Sequence, residues 1–286
     1  MRKRMKPIVV LAFFASFILL ILSSRFITSI QTRANENQTK QNSSSSSASS
    51  NTSSSSTVAS ITSTTINGVF RPIIDVSGWQ LPSEIDYDTL SNEISGAIIR
   101  VHSGAQTTKE NAAAHLNGLD KAYETHLKEF KKRNIPVAVY AYVAASTKEE
   151  MEKEAEEFYK AAKKFNPSYY WLDVEEKTMD DMDAGVEAFR AKLSALGAKN
   201  IGIYIGTYFM EEHSINLDKF DAIWFPTYGN DNGYFNAAPQ TLEKYDLHQY
   251  TSQGYLNGFS YPLDLNQIPS TVDEEKNFQK IFAPQE

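Results

Sequence analysis

Three short apolar runs in this chain end in carboxylates. Ile73-Ile74-Asp75-Val76-Ser77 carries one and Tyr261-Pro262-Leu263-Asp264-Leu265-Asn266 another. Tyr169-Tyr170-Trp171-Leu172-Asp173-Val174-Glu175-Glu176 carries a close pair. Side chains two residues apart on a strand share a face, with α-carbons roughly 6.5–7 Å apart. Asp173 and Glu175 would therefore project together. Neighbouring carboxylates resist joint ionisation, so one keeps a proton while the other stays charged. Cleavage of a glycosidic bond uses this division, with an acid for the leaving oxygen and a carboxylate for charge building on the sugar carbon. Two plainer roles also fit the pair. Acids after a strand often cap the next helix, as Asp180, Asp181 and Asp183 look placed to do. Clustered carboxylates also suit Mg²⁺ or Ca²⁺, while the lack of a histidine in the cluster argues against zinc.

Other chemistries find little support. None of His102, His115, His126, His213 and His248 pairs with an obvious nucleophile. Ser77 lies in Asp-Val-Ser-Gly-Trp, which is not a nucleophile elbow, and no phosphate-binding glycine loop is present. There is no cysteine, so neither disulfides nor thiolate metal sites arise. Aromatics accompany the acids. Trp79 follows the first run, Tyr140 and Tyr142 share a strand face, and Trp171 precedes the pair. Trp224, Tyr228 and Tyr250 lie near later strand ends. Flat rings can pack on pyranose faces, although core packing is the ordinary role of a single aromatic. Tyr140 and Tyr228 come first as site linings.

The elements that must position these groups alternate. Strand candidates are Ile73–Val76, Ala97–Val101, Val137–Val143, Tyr169–Val174, Ile201–Ile205, Ala222–Pro226 and Asp246–Tyr250. Helical patterns cover Lys109–Arg133, Lys148–Phe165 and Asp180–Leu196. Continuous apolar strands between helices predict a parallel sheet covered by helices. The number of strands predicts a closed or nearly closed α/β barrel, whose reactive groups sit at the C-terminal strand ends. Helices thin out after Ile205, so the (β/α) barrel should be incomplete.

Upstream lies an address and a spacer. The net charge is −7, yet residues 1–40 carry seven Lys/Arg and one acid, leaving −13 on the remainder. Such an acidic body is a poor partner for nucleic acid. Four basic residues precede an uncharged apolar run from Pro7 to Ser24, at the short end of what crosses a bilayer. Residues 1–30 therefore read as a signal peptide or membrane anchor that sends the rest outward. From Asn42 to Thr65, 18 of 24 residues are Ser or Thr. Residues 31–68 thus read as a disordered linker, and 69–286 as the folded domain.

Over Ile73 to Ile268 the chain resembles the muramidases of glycoside hydrolase family 25, the Chalaropsis-type lysozymes. The landmarks occur in order. They are Asp75-Val76-Ser77-Gly78-Trp79-Gln80, Ile98-Ile99-Arg100, Pro136 through Tyr140, Trp171 through Glu175, Ile203 through Gly206, and Ile223-Trp224 through Tyr228. His248 through Gly254 and Leu263-Asp264-Leu265-Asn266 close the series. The resemblance implies a flattened, TIM-like (β/α) barrel. It implies cleavage of the β-1,4 bond between N-acetylmuramic acid and N-acetylglucosamine in peptidoglycan, with retention. Glu175 would be the general acid, and Asp173 would assist the reacting centre through the substrate's acetamido group. Asp75 and Asp264 would complete the acidic floor, without metal or other cofactor. The chain departs from the family's usual wording at Arg100-Val-His102-Ser-Gly104, at Ala141 and across Lys109–Arg133. A chitinase-like hydrolase is the alternative enzyme, but Trp171 stands where its motif has another Asp. A non-catalytic wall-binding protein would not need all four acids. The expected setting is extracellular, secreted or membrane-anchored, with peptidoglycan as partner and a monomeric catalytic domain.

Overall fold

Alternation along the strands decides which side chains enter the barrel. The computed structural model describes residues 65–66, 69–104 and 110–283. The apolar run at 7–24 and nearly all of the Ser/Thr tract lie outside the described residues. Among the described residues no helix is long and apolar enough to cross a membrane. A short antiparallel pair, β1 (Thr65–Ile66) and β2 (Val69–Phe70), comes first. Strand pairing thus begins inside the stretch that reads as linker.

Eight strands follow: β3 (Ile73–Val76), β4 (Gly96–His102), β5 (Val137–Tyr142), β6 (Tyr170–Val174), β7 (Ile201–Ile205), β8 (Ala222–Pro226), β9 (Leu247–Gly254) and β10 (Leu263–Gln267). They close into a barrel in the order β10-β3-β4-β5-β6-β7-β8-β9. Between them run α1 (Tyr87–Leu90), α2 (Tyr123–Lys132), α3 (Lys148–Ala162), α4 (Met182–Leu196) and α5 (Thr207–Glu212), and α6 (Glu274–Phe282) ends the described chain. The β8–β9 connection contains no helix, so the α/β barrel is incomplete in its helices.

The sheet is not wholly parallel. β10 runs antiparallel to both β3 and β9. A parallel return needs a crossover of a dozen or more residues, whereas the β9–β10 link is a short hairpin. Its Gly258 has φ +97° and lies so close to α1 that a Cβ would sit 2.5 Å from the Leu90 nitrogen.

Odd and even strand positions sort cleanly. Ile74, Ile99, Val139, Leu172, Ile203 and Phe225 face outward and pack on Leu127, Phe130, Met151, Phe158 and Phe189 of the helices. Ile73, Ile98, Ala138, Trp171, Trp224 and Leu247 form a separate interior cluster. Phe278, Ile281 and Phe282 of α6 join that interior cluster. A Cβ on Gly96, at the start of β4, would meet the Phe282 ring at 2.8 Å. The C-terminal helix therefore plugs the end of the barrel opposite the carboxylates. Each fully buried Phe contributes about 1.5–3 kcal/mol.

Only the last part of the Lys109–Arg133 helical pattern is helix. Before α2 the chain is held in turns by side chains competing for backbone donors. The Asn111 side chain accepts from the Ala113 and Ala114 nitrogens at 2.8 and 2.7 Å, and Gly118 has φ +85°. After β6, Asp181 is the residue that caps α4, accepting from the Ala184 nitrogen at 3.1 Å.

Candidate active site

Two residues above the apolar interior layer, the same inward parity brings polar groups together at the C-terminal end of the parallel strands. Ile73 leads to Asp75, Ile98 to Arg100, Ala138 to Tyr140, and Trp171 to Asp173. Gly202 leads to Tyr204, and Leu247 to Gln249. With Glu175, Asp264 and the loop Ser77–Gln80, these side chains line a cleft of about 270 Å³.

All four anticipated carboxylates meet there. Asp75 and Asp264 are direct partners across the antiparallel β3–β10 pair, where like charges oppose one another. Burial raises Asp75 to about 6, against hydrogen bonds that hold it down. Gln249 Nε2 and Asn266 Nδ2 each donate to Asp75 Oδ2 at 2.8 Å. Asp264 has no such pair of amide donors, and burial together with the charges of Asp75, Asp231 and Glu175 raises it to about 8.

Asp173 is buried at the end of β6, and Glu175 follows just beyond it on the exposed lip. Burial, then the negative charges of Glu175 and Asp75, push Asp173 well above the usual carboxylate range, while Arg100 opposes this. Glu175 is exposed along part of its surface, but crowding around its carboxylate and the charge of Asp75 still raise it. A hydrogen bond from Asp173 favours the ionised form of Glu175. Asp264, at about 8, therefore keeps its proton near neutral pH, and the crowding around Asp173 and Glu175 favours the protonated form of each.

An amide relay supports the floor. Gln249 Oε1 accepts from the hydroxyls of Tyr204 at 2.8 Å and Tyr228 at 2.5 Å, while its amide nitrogen holds Asp75. This fixes the orientation of the Gln249 amide. Tyr142 directs its hydroxyl to Glu176 at 3.1 Å.

The anticipated aromatics divide. Tyr140, Tyr142, Trp224 and Tyr228 line the cleft. Trp171 and Tyr250 do not. Trp171 shares the inward face of β6 but lies one step below Asp173, fully buried against Tyr169 and Trp224. Tyr250 follows inward-facing Gln249, so alternation turns it outward into the cluster beneath the helices. Trp79, placed behind Tyr140 and Tyr228 among the aromatics accompanying the acids, also lines the cleft, and so do Arg100, Tyr204 and Gln249, which were not among the anticipated site residues. Continuing the alternation two residues beyond each inward apolar position finds the last three. Among the described residues no group of three or more His, Asp or Glu side chains has the spacing to hold a metal ion.

A barrel with four crowded carboxylates and ring faces at its strand ends is that of a glycoside hydrolase. The family model for glycosyl hydrolases family 25 matches residues 74–259, and the chain belongs to this family. Among solved structures, the virulence factor GHIP, a glycosyl hydrolase 25 of Streptococcus pneumoniae, is 60% identical with a TM-score of 0.74. That match covers 75% of this chain and 94% of the other. The catalytic domain of endolysin ply40, from bacteriophage P40 of Listeria monocytogenes, is 26% identical with a TM-score of 0.62, over 73% of this chain and 97% of its own. The bacterial lysozyme of Streptomyces coelicolor shares the fold at 18% identity, with a TM-score of 0.56, over 74% and 96%. Among curated proteins none matches the chain.

Proposed function

We propose that the chain is a muramidase that hydrolyses the β-1,4 bond between N-acetylmuramic acid and N-acetylglucosamine in peptidoglycan, with retention at the anomeric carbon. The observation that carries the residue roles is the placement of Asp173 and Glu175 side by side in the cleft, where burial and neighbouring negative charge push the pKa of both upward. Glu175, the more exposed of the two, gives its proton to the glycosidic oxygen as that bond breaks. Asp173 Oδ1 is buried without a hydrogen-bond partner. An acetamido N–H of the muramic sugar would satisfy it, since an unpaired buried acceptor is costly. That contact aims the acetamido carbonyl oxygen at the anomeric carbon, where it forms the new bond. Water then attacks the same carbon, losing its proton to Glu175 and opening the cyclic intermediate. The negative charge of Asp75 helps keep Glu175 protonated, and Asp264 completes the acidic floor beside it. Tyr140, Tyr142, Trp224 and Tyr228 offer ring faces and hydroxyls to the sugars.

The place of action rests on residues 1–30 as an export signal or membrane anchor and 31–68 as a spacer. Together they would hold a monomeric catalytic domain outside the cell, within the wall. Glu175→Gln tests the assigned acid: a loss on the order of 10²–10⁴-fold in kcat is expected, and near-wild-type turnover would refute the role. Proton NMR of the first product formed should show the β anomer, and the α anomer would refute retention.

A further inference from the structure

Trp79 is an unusual side chain for a folded domain. It is 59% exposed yet lines the cleft, whereas Trp171 and Trp224 are buried. Its loop is closed on itself, with Ser77 N donating to Gln80 Oε1 at 2.9 Å and Gln80 N to the Ser77 carbonyl at 3.1 Å. A buried carboxylate ties the loop to the rest of the protein. Asp120 is 1% exposed. Its Oδ2 accepts from Gly78 N at 2.7 Å and from Arg100 Nε and Nη2 at 3.0 Å each. Its Oδ1 accepts from Ala122 N at 2.8 Å, just ahead of α2.

The contact is tight. A Cβ on Gly78 would lie 2.4 Å from the Ala113 carbonyl oxygen. On the other side, His126 Nε2 meets the Ser77 carbonyl at 3.1 Å, and Tyr87 Oη meets Nδ1 at 2.7 Å. The carbonyl can only accept, so His126 carries its proton on Nε2 and Tyr87 donates to Nδ1. Arg100 is the one Lys, Arg or His among the described residues lining the cleft. A buried carboxylate is retained at a net gain only when its oxygens are well paired. Here three of its four donor groups belong to cleft-lining Arg100 or to the loop that carries Trp79.

We infer that Asp120 is a positioning residue for the reaction, fixing in one arrangement the loop that presents Trp79 to the glycan and the guanidinium of Arg100 beside the carboxylates. The inference rests on the cleft being the muramidase site. Through Trp79 it acts on sugar binding, and through Arg100 on the charge felt by Asp173.

Two double-mutant cycles test it, with kcat and KM measured on soluble uncrosslinked peptidoglycan and folding followed by thermal melts. Asp120→Ala is expected to raise KM and lower kcat, each by about tenfold, because sub-ångström placement is lost. In a Trp79→Ala background the KM effect should vanish, and in an Arg100→Ala background the kcat effect should vanish. Asp120→Asn keeps the shape and an acceptor for Gly78, so it should fold and lower kcat while largely sparing KM. Wild-type kcat and KM in both Asp120 variants, or fully additive effects in both cycles, would overturn the assignment. If the wild-type protein releases no reducing ends, the muramidase reading fails first and takes this inference with it. If the wild type is active and Glu175→Gln is not, the Asp120 result stands or falls on its own.

Discussion

Asp75 holds two amide donors on a single oxygen, while Asp264, its cross-strand partner, holds none of that kind. These donors, together with the charges of Asp75, Asp231 and Glu175 that act on Asp264, separate their proton affinities, at about 6 and about 8. Asp75 also raises Glu175 through its negative charge. Asp75→Asn removes that charge, so Glu175 ionises at lower pH. The alkaline limb of the kcat profile should move acidward in this variant, and an unmoved limb would break the proposed coupling. Gln249→Leu removes one donor from Asp75 and the shared acceptor of Tyr204 and Tyr228. Each buried group left unpaired costs about 1–3 kcal/mol, so both Tm and kcat should fall. The four acids were legible because each sits at a strand end in a recognisable run. Gln249 was not, since a single Gln within His248-Gln249-Tyr250 carries no chemical signal until the barrel brings it to Asp75, 174 residues away.

Strands were easier to read than what joins them. Six of the eight barrel strands, β3 to β8, show as largely apolar runs, because both faces are buried, whereas β9 carries His248, Gln249, Thr251 and Ser252. β10 is less apparent, since Asp264, Asn266 and Gln267 interrupt its apolar positions. The short helices α1 and α5 offer too few residues for a period to show. The early part of Lys109–Arg133 has helical composition, but Asn111, Asp120 and Gly118 turn it into the bracket that holds the Trp79 loop. Close packing between neighbouring strands gives a sharp test at this scale. A Cβ on Gly202 of β7 would lie 2.3 Å from the Trp171 ring of β6. Gly202→Ala should destabilise the domain by about 1–3 kcal/mol through overpacking. A thermal melt unchanged from wild type would show that Trp171 does not fill the barrel as described.

For the molecule as a whole, the acidic cleft and the surface ion pairs pull stability in opposite directions with pH. Asp75 and Asp264 bind protons more tightly when folded, so they favour the native state at low pH and cost stability as pH rises through about 6 to 8. Glu124 and Glu187 are lowered to about 2 by Lys164 and Arg190 respectively, and their contribution is lost as pH falls below the ordinary glutamate range. Tm should therefore pass through a maximum in mildly acid solution, and Asp264→Asn should flatten the alkaline decline. A Tm that climbs steadily from pH 5 to 9 would contradict this balance. The measurement that bears most directly on the central claim uses the full chain and purified peptidoglycan, with the newly formed reducing ends identified after borohydride reduction and acid hydrolysis. A muramidase acting through Glu175 releases muramitol, and none should appear with Glu175→Gln. Glucosaminitol in its place, or no new reducing ends at all, would contradict it.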